Sequence, residues 1–137
     1  MELGTFGAIL GFAIELEQQA ASFYAQAARG DLADLFAEME RGSRKRIERL
    51  ERARREGIAE MILESISGLN SDSFAIELDP STETPDLLKQ AQNLEETCAR
   101  FYQVASAKLP IREVVRLFQR LVEENQQRLE TLSRIPK

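Results

Sequence analysis

The chain contains no histidine and no tryptophan, and has one cysteine and four prolines in 137 residues. Histidine is the usual near-neutral acid–base group and the commonest transition-metal ligand. Its absence excludes the serine–histidine and cysteine–histidine triads. A zinc site would need cysteines instead, and Cys98 stands alone. Any metal would therefore be held almost wholly by carboxylates. A single cysteine also excludes an internal disulfide framework and fits a reducing compartment. No apolar run approaches the roughly 18 residues of a membrane span. The first residues lack the basic flank of a secretory signal, so the expected location is the cytoplasm, with no membrane partner. Neither a phosphate loop nor a nucleic-acid motif occurs. The net charge of −5 argues against nonspecific nucleic-acid binding.

What is present is a duplication. Glu15 to Tyr24 reads ELEQQAASFY, and Asn93 to Tyr102 reads NLEETCARFY. At this shift of 78, Glu17 matches Glu95, Phe23 matches Phe101 and Tyr24 matches Tyr102. A second pair of stretches matches at a shift of 82: Leu35-Phe36 with Leu117-Phe118, and Arg46-Ile47-Glu48 with Arg128-Leu129-Glu130. The chain is two copies of one helix pair, the second with four extra residues between its helices. One domain over 1–137 accommodates both.

Apolar residues recur at helical spacing from Phe6 to Arg29, with Thr5 as N-cap and Gly30 as stop. Gly4, Gly7 and Gly11 leave room for another helix. A second helix, capped by Asp31 or Asp34, runs to Glu56, with Leu35, Met39, Ile47 and Leu50 inward. Gly42 in its middle costs about 1 kcal/mol against alanine. The basic stretch Arg41 to Arg55 reads as a solvated face with Glu40, Glu48 and Glu51 as neighbours; a patch for an acidic partner is the other reading. Gly57 ends this helix. A long crossover follows, with a short helix possible over Ile58 to Ile66. The alternation Phe74, Ile76, Leu78 reads as an extended piece lying on the bundle or on a partner subunit. A crossover this long fits helices two and three running parallel, since the chain must then travel the bundle length of about 35 Å. Thr84-Pro85-Asp86 starts a third helix, which ends near Ala107. The fourth runs from Ile111 to Arg134, with Val114, Leu117, Leu121, Leu129 and Leu132 inward. The fold class expected is all-α, a four-helix bundle with helix pairs 6–56 and 85–134 about a crossover at 57–84.

The wording of the repeat resembles the rubrerythrin-like branch of the ferritin-like bundles: Ala13-Ile14-Glu15-Leu16-Glu17 with Phe23-Tyr24, then Leu35-Phe36 with Arg46-Ile47-Glu48-Arg49-Leu50. In that family each half supplies a glutamate from its first helix and a Glu-x-x-His from its second, and the six side chains hold two iron ions. The resemblance places Glu17 and Glu95 at the first-helix ligand positions. At the second-helix positions this chain has Ser43 and Arg46 in one half, and Asn125 and Arg128 in the other. Two of six ligands survive.

Arginine stays charged at ordinary pH and repels a cation, while its forked donors suit a carboxylate. The expectation is a buried polar network of Glu17, Glu95, Arg46 and Arg128. Ser43, Asn125, Tyr24 and Tyr102 supply further hydrogen bonds. Which acid faces which arginine stays open. The Phe-Tyr pairs read as core aromatics, and Cys98, in the place of Ala20, reads as a small buried residue. No metal and no cofactor are then expected, and the protein is a binding or assembly protein, a homodimer or larger. The Gly-rich face of the first helix and the 67–79 segment are candidate contact surfaces. The resemblance also leaves open a di-iron oxidoreductase or iron-handling protein using Glu17 and Glu95 with other acids, Glu124, Glu38 or Glu40. A third alternative is a small-ligand carrier that uses the space vacated by metal.

Overall fold

The computed structural model describes residues 1–59 and 65–136. Four helices make the fold: α1 Phe6–Ala27, α2 Ala33–Ala59, α3 Thr84–Ser106 and α4 Arg112–Ser133. The architecture is all-α, and no strand occurs among the described residues. No described helix is long and apolar enough to cross a membrane.

Thr5 starts α1: its hydroxyl accepts from the Ala8 amide at 3.0 Å and satisfies one of the four free N–H groups of the first turn. Ala28 ends it, and Gly30 takes φ 57°, a left-handed conformation that costs glycine little. Gly30–Leu32 then forms one 3-10 turn leading into α2. Among the described residues neither Asp31 nor Asp34 makes a capping bond, although Asp34 lies in the first turn, where its charge is favourable. Two further boundaries differ from expectation. Gly57 does not end α2, which continues to Ala59. The Phe6 ring packs where a side chain on Gly57 would stand, so glycine is required there for close approach and not for termination. Glu83, not Thr84, is the N-cap of α3, with Pro85 in the first turn. The short helix possible over Ile58 to Ile66 falls largely outside the described residues. Residues 58 and 59 continue α2, Ile66 is non-helical, and 60–64 lie outside the described residues.

The helices pack as two pairs, α1 on α2 and α3 on α4. The crossover runs along the bundle. It begins beside the start of α1, where Leu3 donates to the Leu69 carbonyl and Ile66 donates to that of Gly4, both at 2.8 Å. It reaches the other end at Arg29, whose guanidinium donates to the carbonyls of Pro80 and Thr82. Helices α2 and α3 are therefore parallel, and the crossover spans a length set by the 22 residues of α1. The first residues are tied to the crossover. Leu3 is fully buried and its backbone is paired with the crossover, so both apolar and hydrogen-bonding groups are satisfied there.

One hydrophobic core takes residues from all four helices. Phe36, Met39 and Leu50 carry the inner stripe of α2, with Ser43 and Arg46 between them. Leu35 and Ile47 sit at its margin, and so does Leu129 of α4. In α4, Val114, Leu117, Leu121 and Leu132 are buried as expected, together with Phe118, Val122 and Asn125. The duplication is repeated in the aromatic packing. Tyr24 meets Phe36 edge-on with ring centroids 5.0 Å apart, and Tyr102 meets Phe118 in the same way at 5.0 Å. The crossover lies on its own bundle: Phe74 is buried and packs edge-on against Phe101 at 5.2 Å. The glycines of α1 are not used by a neighbouring helix backbone. Gly11 faces the Arg54 side chain, Gly4, just before the helix, faces the Ile66 carbonyl, and among the described residues nothing lies within 4 Å of where a Gly7 side chain would stand.

Candidate functional site

Glu17 and Tyr24 are seven residues apart on α1, and Glu95 and Tyr102 on α3. Two helical turns bring each pair to one face. Arg46 of α2 and Arg128 of α4 enter between them. Glu17 and Glu95 are each 1 % exposed, Arg46 is 2 % exposed, and Arg128 is at 12 %. Ions this deep persist only with partners, because desolvation costs several kcal/mol per ion.

The structure settles which groups meet. Arg46 Nη1 donates to Glu17 Oε2 at 3.4 Å and to Asn125 Oδ1 at 2.6 Å. Arg128 Nη1 donates to Glu95 Oε2 and to Ser43 Oγ, both at 3.2 Å. Each acid thus takes the arginine of its own half, while Asn125 and Ser43 reach across. The tyrosines also cross over. Tyr24 donates to Glu95 Oε2 at 2.6 Å, and Tyr102 donates to Glu17 Oε2 at 2.5 Å. All six residues expected in the network come together, with Ser43 and Asn125. Glu17 Oε1 and Asn125 Nδ2 are enclosed without a protein partner; the Glu95 side has no such orphan among the described residues.

Glu124, expected only as a further acid for a metal, meets the arginines instead. Its carboxylate accepts from Arg46 Nε and from Arg49 Nη1, each at 3.2 Å. It stands at the edge of the bundle, 38 % exposed. A signal was available in the repeat: at the shift of 82, the counterpart of Glu124 is Gly42. The two halves therefore complete their arginines differently. Arg46 has a carboxylate at its flank. Arg128 passes over Gly42, and its Nη2 donates to the Met39 carbonyl at 3.1 Å. A methyl group on Gly42 would overlap that nitrogen. Gly42→Ala is therefore expected to lower stability by about 1 kcal/mol, the lost charge-assisted hydrogen bond outweighing the gain in helix propensity. In an Arg128→Met background the same substitution is expected to stabilise by a similar amount. Urea denaturation of the four proteins checks this, and equal effects in both backgrounds would contradict it.

The electrostatics keep Arg46 charged and the two tyrosines neutral. Burial works against the Arg46 cation, but the nearby Glu17 and Glu95 carboxylates outweigh it and raise the pKa above the ordinary arginine value. Burial, then Glu95, raises Tyr24 well above 10.0, and burial with Glu17 does the same for Tyr102. Cys98 is buried, and its thiol is raised well above 9.0 by burial and by both glutamates, which leaves it protonated and unreactive. The two tyrosines and the thiol are neutral acids with raised values, so their contribution is complete below the unfolded values. It is lost as the unfolded chain ionises first. Stability is expected to be level up to about pH 9 and to fall above it, with Cys98→Ala delaying the onset towards pH 10. Melting temperature followed from about pH 8 to 11 reads this directly. A flat profile would contradict it.

Along Arg41 to Arg55, one helical ion pair forms with a neighbouring acid, Arg44 with Glu40 at 2.8 Å. Among the described residues Glu48 and Glu51 make none. Glu38, Glu40 and Glu124 do not gather around Glu17 and Glu95, and the described residues include no cluster of three or more His, Cys, Asp or Glu side chains able to hold a metal.

A family model described as a ferritin-like domain matches residues 7–127. No curated protein and no solved structure matches the chain.

Proposed function

The chain belongs to the ferritin-like domain family, and from that premise we propose that it is a rubrerythrin-like member whose di-iron centre has been exchanged for an arginine–carboxylate network. It acts as a non-catalytic binding or assembly protein. One observation carries this reading: Arg46 is buried with its guanidinium on Glu17 and Asn125, where the family pattern has histidine and glutamate. The donor set does not fit a pair of iron ions. Two carboxylates are already engaged by tyrosine and arginine, and two guanidinium groups repel a cation. The alternative, an iron enzyme using noncognate acids, finds its best recruit, Glu124, already bound by two arginines.

The test is to add ferrous iron in air to the purified protein. Elemental analysis is expected to find far less than one iron per chain, with no oxo-bridged absorption band. Two irons per chain with such a band would sink the reading. The proposal includes assembly as a homodimer or larger, with the Gly-rich face of α1 as one contact surface. The 67–79 segment keeps half-buried Ile76 and Leu78 for such a role in its apolar stretch beyond Phe74, because Leu69 and Phe74 are buried within the chain. Light scattering across a concentration series tests assembly, and a monomer throughout removes it.

A further inference from the structure

After the 3-10 turn Ser71–Phe74, the crossover becomes an extended segment. Ala75 has φ −67° and ψ 137°. Exposure then alternates with a period of two: Phe74, Ile76 and Leu78 turn inward, while Ala75, Glu77 and Asp79 are exposed. Among the described residues, the backbone groups of Ile76, Glu77 and Leu78 make no hydrogen bond. Both edges of the segment are therefore open. Beside it runs a groove of about 540 Å³, with Ile76 and Leu78 on one wall and the outer face of α1 from Glu15 to Gln26 on the other. The two walls match in length. Eleven helical steps from Glu15 to Gln26 and five extended residues from Ala75 to Asp79 each cover about 16 Å. Phe23 and the two aliphatic side chains supply apolar surface, and Gln18, Gln19 and Ser22 supply exposed donors and acceptors.

We propose that this groove takes an extended peptide segment of another protein, which pairs with the open backbone edge of Ile76 to Leu78 and alternates basic with apolar residues. The alternation follows from cross-strand pairing. A residue opposite Ile76 or Leu78 faces the groove and is apolar. A residue opposite Glu77 faces outward beside a carboxylate and is Lys or Arg. Among the described residues lining the groove, Glu15 alone is charged. Arg29 and Arg100 stand towards the two ends of the segment, and each spends donors on crossover carbonyls, those of Pro80 and Thr82 for Arg29 and that of Ser73 for Arg100. The Glu77 carboxylate between them makes no ion pair among the described residues. A second copy of the chain is the poorer occupant, because antiparallel pairing of this segment with itself sets Glu77 against Glu77. The inference deepens the reading of the chain as a binding protein and rests on it.

Fluorescence polarisation with an end-capped, dye-labelled Lys-Val-Lys-Val-Lys peptide tests it. The peptide is expected to bind, and its Glu-Val-Glu-Val-Glu counterpart is not. Two further versions carry N-methyl groups, one on the valine nitrogens and the other on the lysine nitrogens. Only one edge of the peptide meets the protein, so one pattern is expected to weaken binding about tenfold, the loss of a hydrogen bond, and the other to leave it nearly unchanged. Glu77→Lys is expected to weaken binding about fivefold. The position is exposed, and an unchanged melting temperature verifies the fold. Glu48→Lys, on α2 away from the groove, is expected to stay within about twofold. No binding, equal effects of the two N-methyl patterns, or equal losses at Glu77 and Glu48 overturns the proposal. A dimer that the peptide dissociates, seen by light scattering, assigns the edge to a second copy and overturns it as well. Elemental analysis of the same preparation keeps the two readings apart: bound iron removes the metal-free reading, whereas failed peptide binding by an iron-free chain removes the groove proposal alone.

Discussion

Arg46→Ala is expected to destabilise the protein by about 3–5 kcal/mol, because it leaves Glu17 charged in the core beside an Asn125 that has also lost its donor. In a chain of this length that corresponds to a fall of roughly 10 °C or more in melting temperature. Glu17→Gln alone leaves the arginine short of a counter-charge, although Glu124 still flanks it; its expected cost is smaller, about 1–3 kcal/mol. The double variant, Glu17→Gln with Arg46→Met, is expected to recover most of the loss. A buried pair replaced by groups of similar volume often breaks even, whereas a buried pair with one member removed does not. Thermal and urea melts of the three proteins make a double-mutant cycle. Losses that are small and additive would mean that the pair is not an energetic unit.

The second large effect is a gain of metal. Ser43, Arg46, Asn125 and Arg128 already converge with Glu17 and Glu95. Changing Ser43 and Asn125 to glutamate and Arg46 and Arg128 to histidine writes the family's ligand set back into the two halves. This fourfold variant is expected to bind about two irons per chain in elemental analysis, where the parent binds almost none. It is also expected to melt higher with iron than without, since a ligand that binds only the folded state stabilises it. A variant that is helical by circular dichroism but takes up no iron would show that the second-helix register has been read wrongly. Control variants that restore one half alone are expected to bind weakly, because three carboxylates and one histidine face a remaining guanidinium.

Several of the residues in these predictions were legible without coordinates. The shifts of 78 and 82 fix two equivalent helix pairs, and helical periodicity puts Glu17, Tyr24, Glu95 and Tyr102 on inner faces. The same comparison puts Arg46 and Arg128 at matching sites. Helix ends were less legible. Gly57 looks like a terminator by residue type, but its role depends on Phe6, fifty-one positions earlier in the chain. Leu35 and Ile47 are apolar at acceptable spacing, yet Ser43 and Arg46 took the centre of the face because the partners that make their burial tolerable come from other helices.

The sequence alone determined the duplicated four-helix architecture and the identity of the charged groups inside it, because periodicity and repetition are properties of a single chain read in order. The tertiary structure alone decided the pairing: own-half arginines and opposite-half tyrosines on each acid, Glu124 on one arginine, and a bare glycine beneath the other. The reason is reach. A helical pattern gives the direction in which a side chain leaves its own axis, but a long, flexible arginine chooses among acceptors by the distances between axes, and no single helix encodes those distances.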